Sequence, residues 1–85
     1  MPMHTPSWFI HRDYLNHKTD NNEKVKQAVD NGWHRFRLYD DDGELYYEGY
    51  SKIMSFGPLA WAREYAGCTE IKYKNNLLKN NWITL

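Results

Sequence analysis

The chain has 85 residues, which predicts one small domain that buries a smaller share of its surface than a larger domain would. Its 11 basic and 11 acidic side chains cancel, so it lacks the basic excess of proteins that bind nucleic-acid backbones, and no apolar run approaches the roughly 20 residues of a membrane-spanning helix. One cysteine excludes an internal disulfide and, with no secretion-type leader pattern, predicts a cytoplasmic protein.

The first half of the chain predicts a strand and a short helix. Residues 1–6 are expected to be a flexible N-terminus, and residues 7–15, SWFIHRDYL, are rich in aromatic and branched side chains and predict a strand. In the helix that follows, Asp20 and Glu23 have the spacing of a capping box, and Gly32 suits its end. Because its apolar stripe is thin, this helix needs a partner surface to persist.

An acidic turn joins the next two strands in FRLYDDDGELYYEGY, residues 36–50. A loop of two or four residues that ends at Gly43 keeps apolar side chains on one face and polar ones on the other, and both lengths remain open. The two-residue form places Arg37 directly opposite Glu48. A three-residue loop would oppose Phe36 to Glu48, so the pattern disfavours it.

A second helix and a final hairpin complete the predicted fold. Pro58 suits the first turn of the helix and Gly67 its end. Residues 68–74, CTEIKYK, alternate like a strand, and residues 82–85, WITL, predict its partner. The order β-α-β-β-α-β-β predicts a single α+β domain over residues 1–85, with an antiparallel sheet of about five strands and both helices most economically placed on one face.

Metal binding and catalysis are both disfavoured by the residue spacing. The acidic turn lacks the alternating ligands of a calcium loop, and the four histidines with Cys68 lack zinc-finger spacing, so we expect no metal and no cofactor. Cys68 with a histidine and Asp13 is the one conceivable nucleophile arrangement. A lone cysteine at a strand start is more often a small buried residue, so we expect no catalysis.

The outward face of the central hairpin is the best candidate for a site. Its residues are Trp33, Arg35, Arg37, Tyr39, Tyr46, Glu48 and Tyr50. Tryptophan, tyrosine and arginine dominate binding energy at protein interfaces, so the face predicts contact with a protein partner. Cross-strand pairing that only stabilises the sheet, or cover by a helix, is an equally weighted alternative. A lesser alternative is single-stranded nucleic acid stacked on the same rings, with phosphate contacts from Lys72, Lys74 and Lys79.

Several segments resemble a family of small proteins from bacteria and their mobile elements. The segments are FRLYDDDGELYYEGYS, FGPLAWA, AGCTEIKY and WITL, which together span about residues 33–85. The family has no established activity or catalytic residue, and LAWAREYAG lacks the acidic residues that the family pattern has after Pro-Leu. The resemblance itself implies no function, and only analogy with small accessory proteins of phages and mobile elements suggests a module that regulates or inhibits a host protein complex by direct contact. A structural or homodimeric protein is the remaining alternative.

Overall fold

The computed structural model describes residues 7–19, 22–75 and 81–85. In these ranges six strands form one antiparallel sheet, and two helices pack on it. In chain order the elements are β1 (Trp8–Asp13), β2 (Lys18–Thr19), α1 (Asn22–Asp30), β3 (His34–Tyr39), β4 (Leu45–Ser51), α2 (Gly57–Ala66), β5 (Glu70–Asn75) and β6 (Asn81–Thr84). The spatial order β2-β1-β4-β3-β5-β6 confirms the predicted α+β class.

The strand β2 is the element that the sequence did not predict. After β1 the chain turns through His17, whose φ is 54°, and Thr19 then pairs with Arg12. Two exposed residues contain no periodic pattern, so this strand forms only because β1 offers it a free edge. The expected flexible segment 1–6 and the predicted cap Asp20 lie outside the described residues.

The central hairpin has the predicted register but not the predicted loop. Arg37 lies opposite Glu48, as expected. At the turn, the Asp40 N–H donates to the Glu44 carbonyl at 3.0 Å and the Gly43 N–H donates to the Asp40 carbonyl at 3.1 Å. These bonds leave three residues in the loop, so the expectation of an even loop is wrong. A bulge at the turn end of β4 adds one residue and restores the matched faces.

One face of the sheet forms the core against α2. The buried apolar cluster is made of Phe36, Leu38, Tyr47, Leu59, Ala62, Cys68, Ile71 and Tyr73. Full burial of a large apolar side chain contributes roughly 1.5–3 kcal/mol, so the burial of this cluster stabilises the packing of α2 on the sheet. Pro58 lies in the first turn of α2, and Gly67 ends the helix in the left-handed conformation with φ 74°. Both predicted helix signals are confirmed.

The helix α1 packs against the opposite face of the sheet. Phe9 pairs with Tyr50, and Tyr50 pairs with Arg35, so the three side chains point away from α2. The Lys24 amine lies 5.9 Å from the Phe9 ring centroid, and the Phe9 ring contacts the Trp33 ring at 6.1 Å. The expectation of both helices on one face is therefore wrong, because apolar side chains lie on both sides of this end of the sheet. Neither of the described helices has the length and apolar character needed to cross a membrane.

Candidate interaction surface

A row of side chains crosses five strands on the face opposite α2. Successive pairings run from Arg12 to Glu48, Arg37, Lys72 and Thr84. Directly paired residues point to the same side of a sheet, so the row is continuous. We name the surface around this row the arginine face. Its members are Arg12, Arg35, Arg37, Tyr39, Glu48, Glu70, Lys72, Lys74, Trp82 and Thr84.

Glu48 is the buried centre of the arginine face, with 1% of its side chain exposed. Arg35 donates from Nη2 and Arg37 from Nε to the same oxygen, Oε2, each at 2.8 Å. The Tyr14 hydroxyl donates to Oε1 at 3.3 Å. Burial raises the pKa of the Glu48 carboxyl, but the hydrogen bonds from Arg37 and Arg35 outweigh it, and the pKa lies below its ordinary value. Glu48 therefore stays charged and anchors both arginines.

Arg37 is held from two sides. Its Nε bonds Glu48, and its guanidinium lies 4.3 Å from the centroid of the Trp82 ring. The hydrogen bond to Glu48, with a further one to Tyr39, raises the pKa of Arg37 above its already high ordinary value. A cation–π contact at a partly exposed position contributes about 0.5–1 kcal/mol to holding the side chain in place. The side chain is nevertheless 32% exposed, so an ordered guanidinium faces the solvent.

Three aromatic rings on this side of the sheet have a cation against them. Besides Arg37 on Trp82, the Lys72 amine lies 5.3 Å from the Tyr39 ring centroid. The third ring is that of Phe9, and its centroid lies 5.9 Å from the amine of Lys24 on α1. A ring that holds a cation has only its other side left for a stacking base. The arrangement therefore favours recognition of charge over stacking on these rings.

The exposed charge of the arginine face is basic. Arg35, Arg37 and Lys72 have 35%, 32% and 37% of their side chains exposed, whereas Glu48 has 1%. Glu70, which is also 37% exposed, lies at the rim and forms an ion pair with Lys72 at 3.5 Å. A chain with no net charge thus presents a locally cationic surface, because the central acid lies beneath its two arginines.

The structure divides the predicted contact residues between the open surface and the packing of α1. It brings Arg35, Arg37, Tyr39 and Glu48 together, as predicted. Tyr50 is 9% exposed and stacks on Phe9 at 5.8 Å, and Trp33 contacts the same ring, so these two side chains pack on Phe9 next to α1.

The remaining predicted contact residues do not all lie on the arginine face. The hydroxyl of Tyr46 forms a hydrogen bond with Asp40 and therefore lies beside the turn. This bond raises the pKa of Tyr46. Lys72 and Lys74 both lie on the arginine face, whereas Lys79 lies outside the described residues.

Four members of the surface were missed by the sequence reasoning: Arg12, Glu70, Trp82 and Thr84. Trp82 reaches Arg37 from two strands away, and its place depends on the register of β6 against β5. Arg12 joins the row because a bulge in β1 shifts the register between Ile10 and Arg12. The only sequence signal for Trp82 or Arg12 was an aromatic or basic residue within a strand-like segment. Such a residue does not indicate which side chain it contacts across the sheet.

The acidic turn is explained by its own backbone. The Oδ1 atom of Asp40 accepts the N–H groups of Glu44 at 2.8 Å and Asp42 at 3.0 Å. These bonds, led by that of Glu44, lower the pKa of Asp40. The carboxylates of Asp40, Asp41 and Asp42 lie within 4.8 Å of one another, which follows from their succession in a tight turn.

Cys68 lies in the core rather than in a cleft. Its side chain is fully buried in the cluster beneath α2. Burial, with a smaller contribution from Asp40, raises the pKa of the thiol to about 11. A nucleophilic cysteine needs a lowered pKa and access to solvent, and this position offers neither.

The chain matches no model of a known protein family, no curated protein and no solved structure. The resemblance to a mobile-element family therefore stays a prediction, and the role of the arginine face has to be argued from its geometry.

Proposed function

We propose that this protein is a non-catalytic protein-binding module that contacts its partner through the arginine face. The observation behind the proposal is that Arg35 and Arg37 are fixed on the buried carboxylate of Glu48 while a third of each side chain remains exposed. A long side chain that is ordered before binding loses less conformational entropy when it binds. Fixed arginines beside aromatic rings are typical of the residues that dominate interface energy.

The cross-strand contacts also stabilise the sheet, but stability does not require this composition. Replacing a buried ion pair by apolar residues of similar volume is often neutral or stabilising, so Glu48 with its arginines is weak evidence for a purely structural role. A regulator or inhibitor of a host complex is one form that such a module takes, and that form rests on analogy with small accessory proteins of mobile elements alone.

Recovery of a partner from an extract of the native host, identified by mass spectrometry, tests the proposal. The disrupting variant is Lys72→Glu, because Lys72 is partly exposed and reversing its charge beside Arg37 leaves the core intact. We expect Lys72→Glu to lower the recovery of the partner about tenfold, which corresponds to ~1.4 kcal/mol of binding free energy. Arg63→Ala is the control for loss of a cation elsewhere, since Arg63 is exposed on α2 on the opposite side of the sheet.

Circular dichroism has to show that both variants keep the fold of the wild type. Equal recovery by the wild type, Lys72→Glu and Arg63→Ala would show that the arginine face is not the contact surface. Equal loss in both variants would place the contact elsewhere or make it unspecific.

A further inference from the structure

We propose that the arginine face binds an acidic peptide segment of the protein partner, with one carboxylate between Arg37 and Lys72 and a second beside Arg35 and Lys74. This inference rests on the proposed function and specifies the chemistry of the partner. It follows from the placement of the exposed cations.

The first observation is a pair of like charges directly opposite each other. Arg37 of β3 pairs with Lys72 of β5, and both side chains point to the arginine face. Like charges at directly opposite positions destabilise a sheet. Glu70 offsets part of this repulsion from the rim, 3.5 Å from the Lys72 amine, and Glu48 offsets part of it from below. An anionic group bound above the pair would relieve the remainder.

The second observation is a surface pocket beside the same pair of strands, β3 and β5. It has a volume of about 330 Å³ and is lined by Val29, Gly32, Trp33, Arg35, Tyr50 and Lys74. Arg35 and Lys74 give the pocket two cationic groups on neighbouring strands. The Nε–H of Arg35 is buried and has no hydrogen-bond partner among the described residues. Since a water molecule takes about 30 Å³ of liquid, the pocket has room for the side chain of a glutamate or an aspartate.

Charge complementarity selects an acidic partner. The cations Arg35, Arg37 and Lys72 are exposed, and the acid at the centre of the face is hidden. Four exposed acids lie away from this face, at the hairpin turn (Asp41, Asp42 and Glu44) and on α2 (Glu64), whereas the exposed acids of α1 lie on the same side of the sheet. Complementary potentials steer partners into register and reject partners of the wrong charge.

The geometry favours carboxylates over a single-stranded nucleic acid. Binding of single strands depends on stacking of bases on open aromatic rings, and here Trp82 and Tyr39 each have a cation on one side. The guanidinium group is a planar fork that matches a carboxylate with two parallel hydrogen bonds. An acidic protein segment is therefore the occupant that we infer, and a nucleic acid is the competing outcome.

Fluorescence anisotropy with three labelled probes of equal length tests the inference. The probes are a peptide of alternating Glu and Ser, a peptide of alternating Gln and Ser, and an oligothymidylate. We expect the Glu-Ser peptide to bind at least about tenfold more tightly than the Gln-Ser peptide, and its affinity to fall as salt rises. Lys72→Glu and Lys74→Glu should each weaken this binding about tenfold, whereas Arg63→Ala should leave it unchanged.

Tighter binding of the oligothymidylate than of the Glu-Ser peptide would overturn the inference, as would equal binding by the wild type and the two lysine variants. These failures can be distinguished from a failure of the proposed function. If no acidic probe binds but Lys72→Glu still lowers the recovery of the partner about tenfold, the arginine face remains the contact surface and only the acidic chemistry is wrong. If recovery of the partner is also independent of Lys72, the proposed function itself fails.

Discussion

Arg37 donates its Nε–H to Oε2 of Glu48 at 2.8 Å, and the Glu48 side chain is 1% exposed while the Arg37 side chain is 32% exposed. The two residues face each other across β3 and β4, and Arg35 reaches the same oxygen. The pair thus joins a buried anion to a surface of exposed cations. The contribution of the pair to the free energy of unfolding and the binding of a partner by the exposed cations can be tested separately.

Replacing Glu48 by alanine should lower the free energy of unfolding by about 2 kcal/mol. The variant leaves two arginines without their acceptor, but both are partly exposed and regain water, so the loss stays below that of a fully buried pair. Urea denaturation monitored by tryptophan fluorescence measures the difference. Glu70→Gln is the control, because its ion pair with Lys72 is exposed and should contribute less than about 0.5 kcal/mol. Equal losses in the two variants would contradict the central position of Glu48.

Acid should destabilise the protein through Glu48. Its folded-state pKa is lowered from the ordinary value of 4.5, so the unfolded chain binds protons more readily than the folded one. The stabilisation is fully present above pH 4.5 and is lost as the pH falls through the lower folded-state pKa. Urea midpoints measured from neutral pH down to about pH 3 should therefore decrease, and Glu48→Gln should show a flatter profile. A profile for Glu48→Gln as steep as that of the wild type would assign the effect to other carboxylates.

Gly49→Ala should be among the most destabilising single substitutions. A Cβ atom there would overlap the backbone carbonyl oxygen of Phe9 and lie 2.7 Å from Cζ of Phe36. Backbone atoms of β1 cannot move away without breaking the ladder, so we expect a loss of about 3 kcal/mol or more. Gly43→Ala is the contrasting variant. Its Cβ would have no atom within 4 Å, and only its φ of 81° is unfavourable, which costs about 1–2 kcal/mol. Denaturation curves that rank the two in the opposite order would contradict the close approach of β1 to β4.

The thiol of Cys68 should be unreactive in the native protein. Its side chain is fully buried and its pKa is raised to about 11, so little thiolate forms at mildly alkaline pH. A thiol reagent such as Ellman's should therefore label the protein slowly in buffer and at once in concentrated guanidinium chloride. Rapid labelling of the folded protein would show that the thiol is accessible and would reopen a reactive role for it.

The local parts of the fold were predictable from particular residues. Alternation with a period of two placed Arg37 and Glu48 on one side of the hairpin, because a slip by one residue would expose Phe36 and Leu38. Pro58 and Gly67 bounded α2, since each residue has backbone angles that suit only one end of a helix. The turn was predicted from its aspartates and glycine, although its length was wrong because a bulge has no signal in the alternation.

The sequence by itself determined which side chains share a face of the hairpin, because that depends on neighbours one or two residues apart. Only the tertiary structure decided that Trp33 and Tyr50 pack on Phe9 next to α1, that Trp82 supports Arg37, and that Glu48 is buried. These facts depend on strands that are distant in sequence and on the way the sheet orders them. The surface charge differs most from the prediction for this reason. A face whose residues include a central acid is cationic because Arg35, Arg37 and Tyr14 contact the carboxylate of Glu48, which is buried, while the two arginines stay partly exposed.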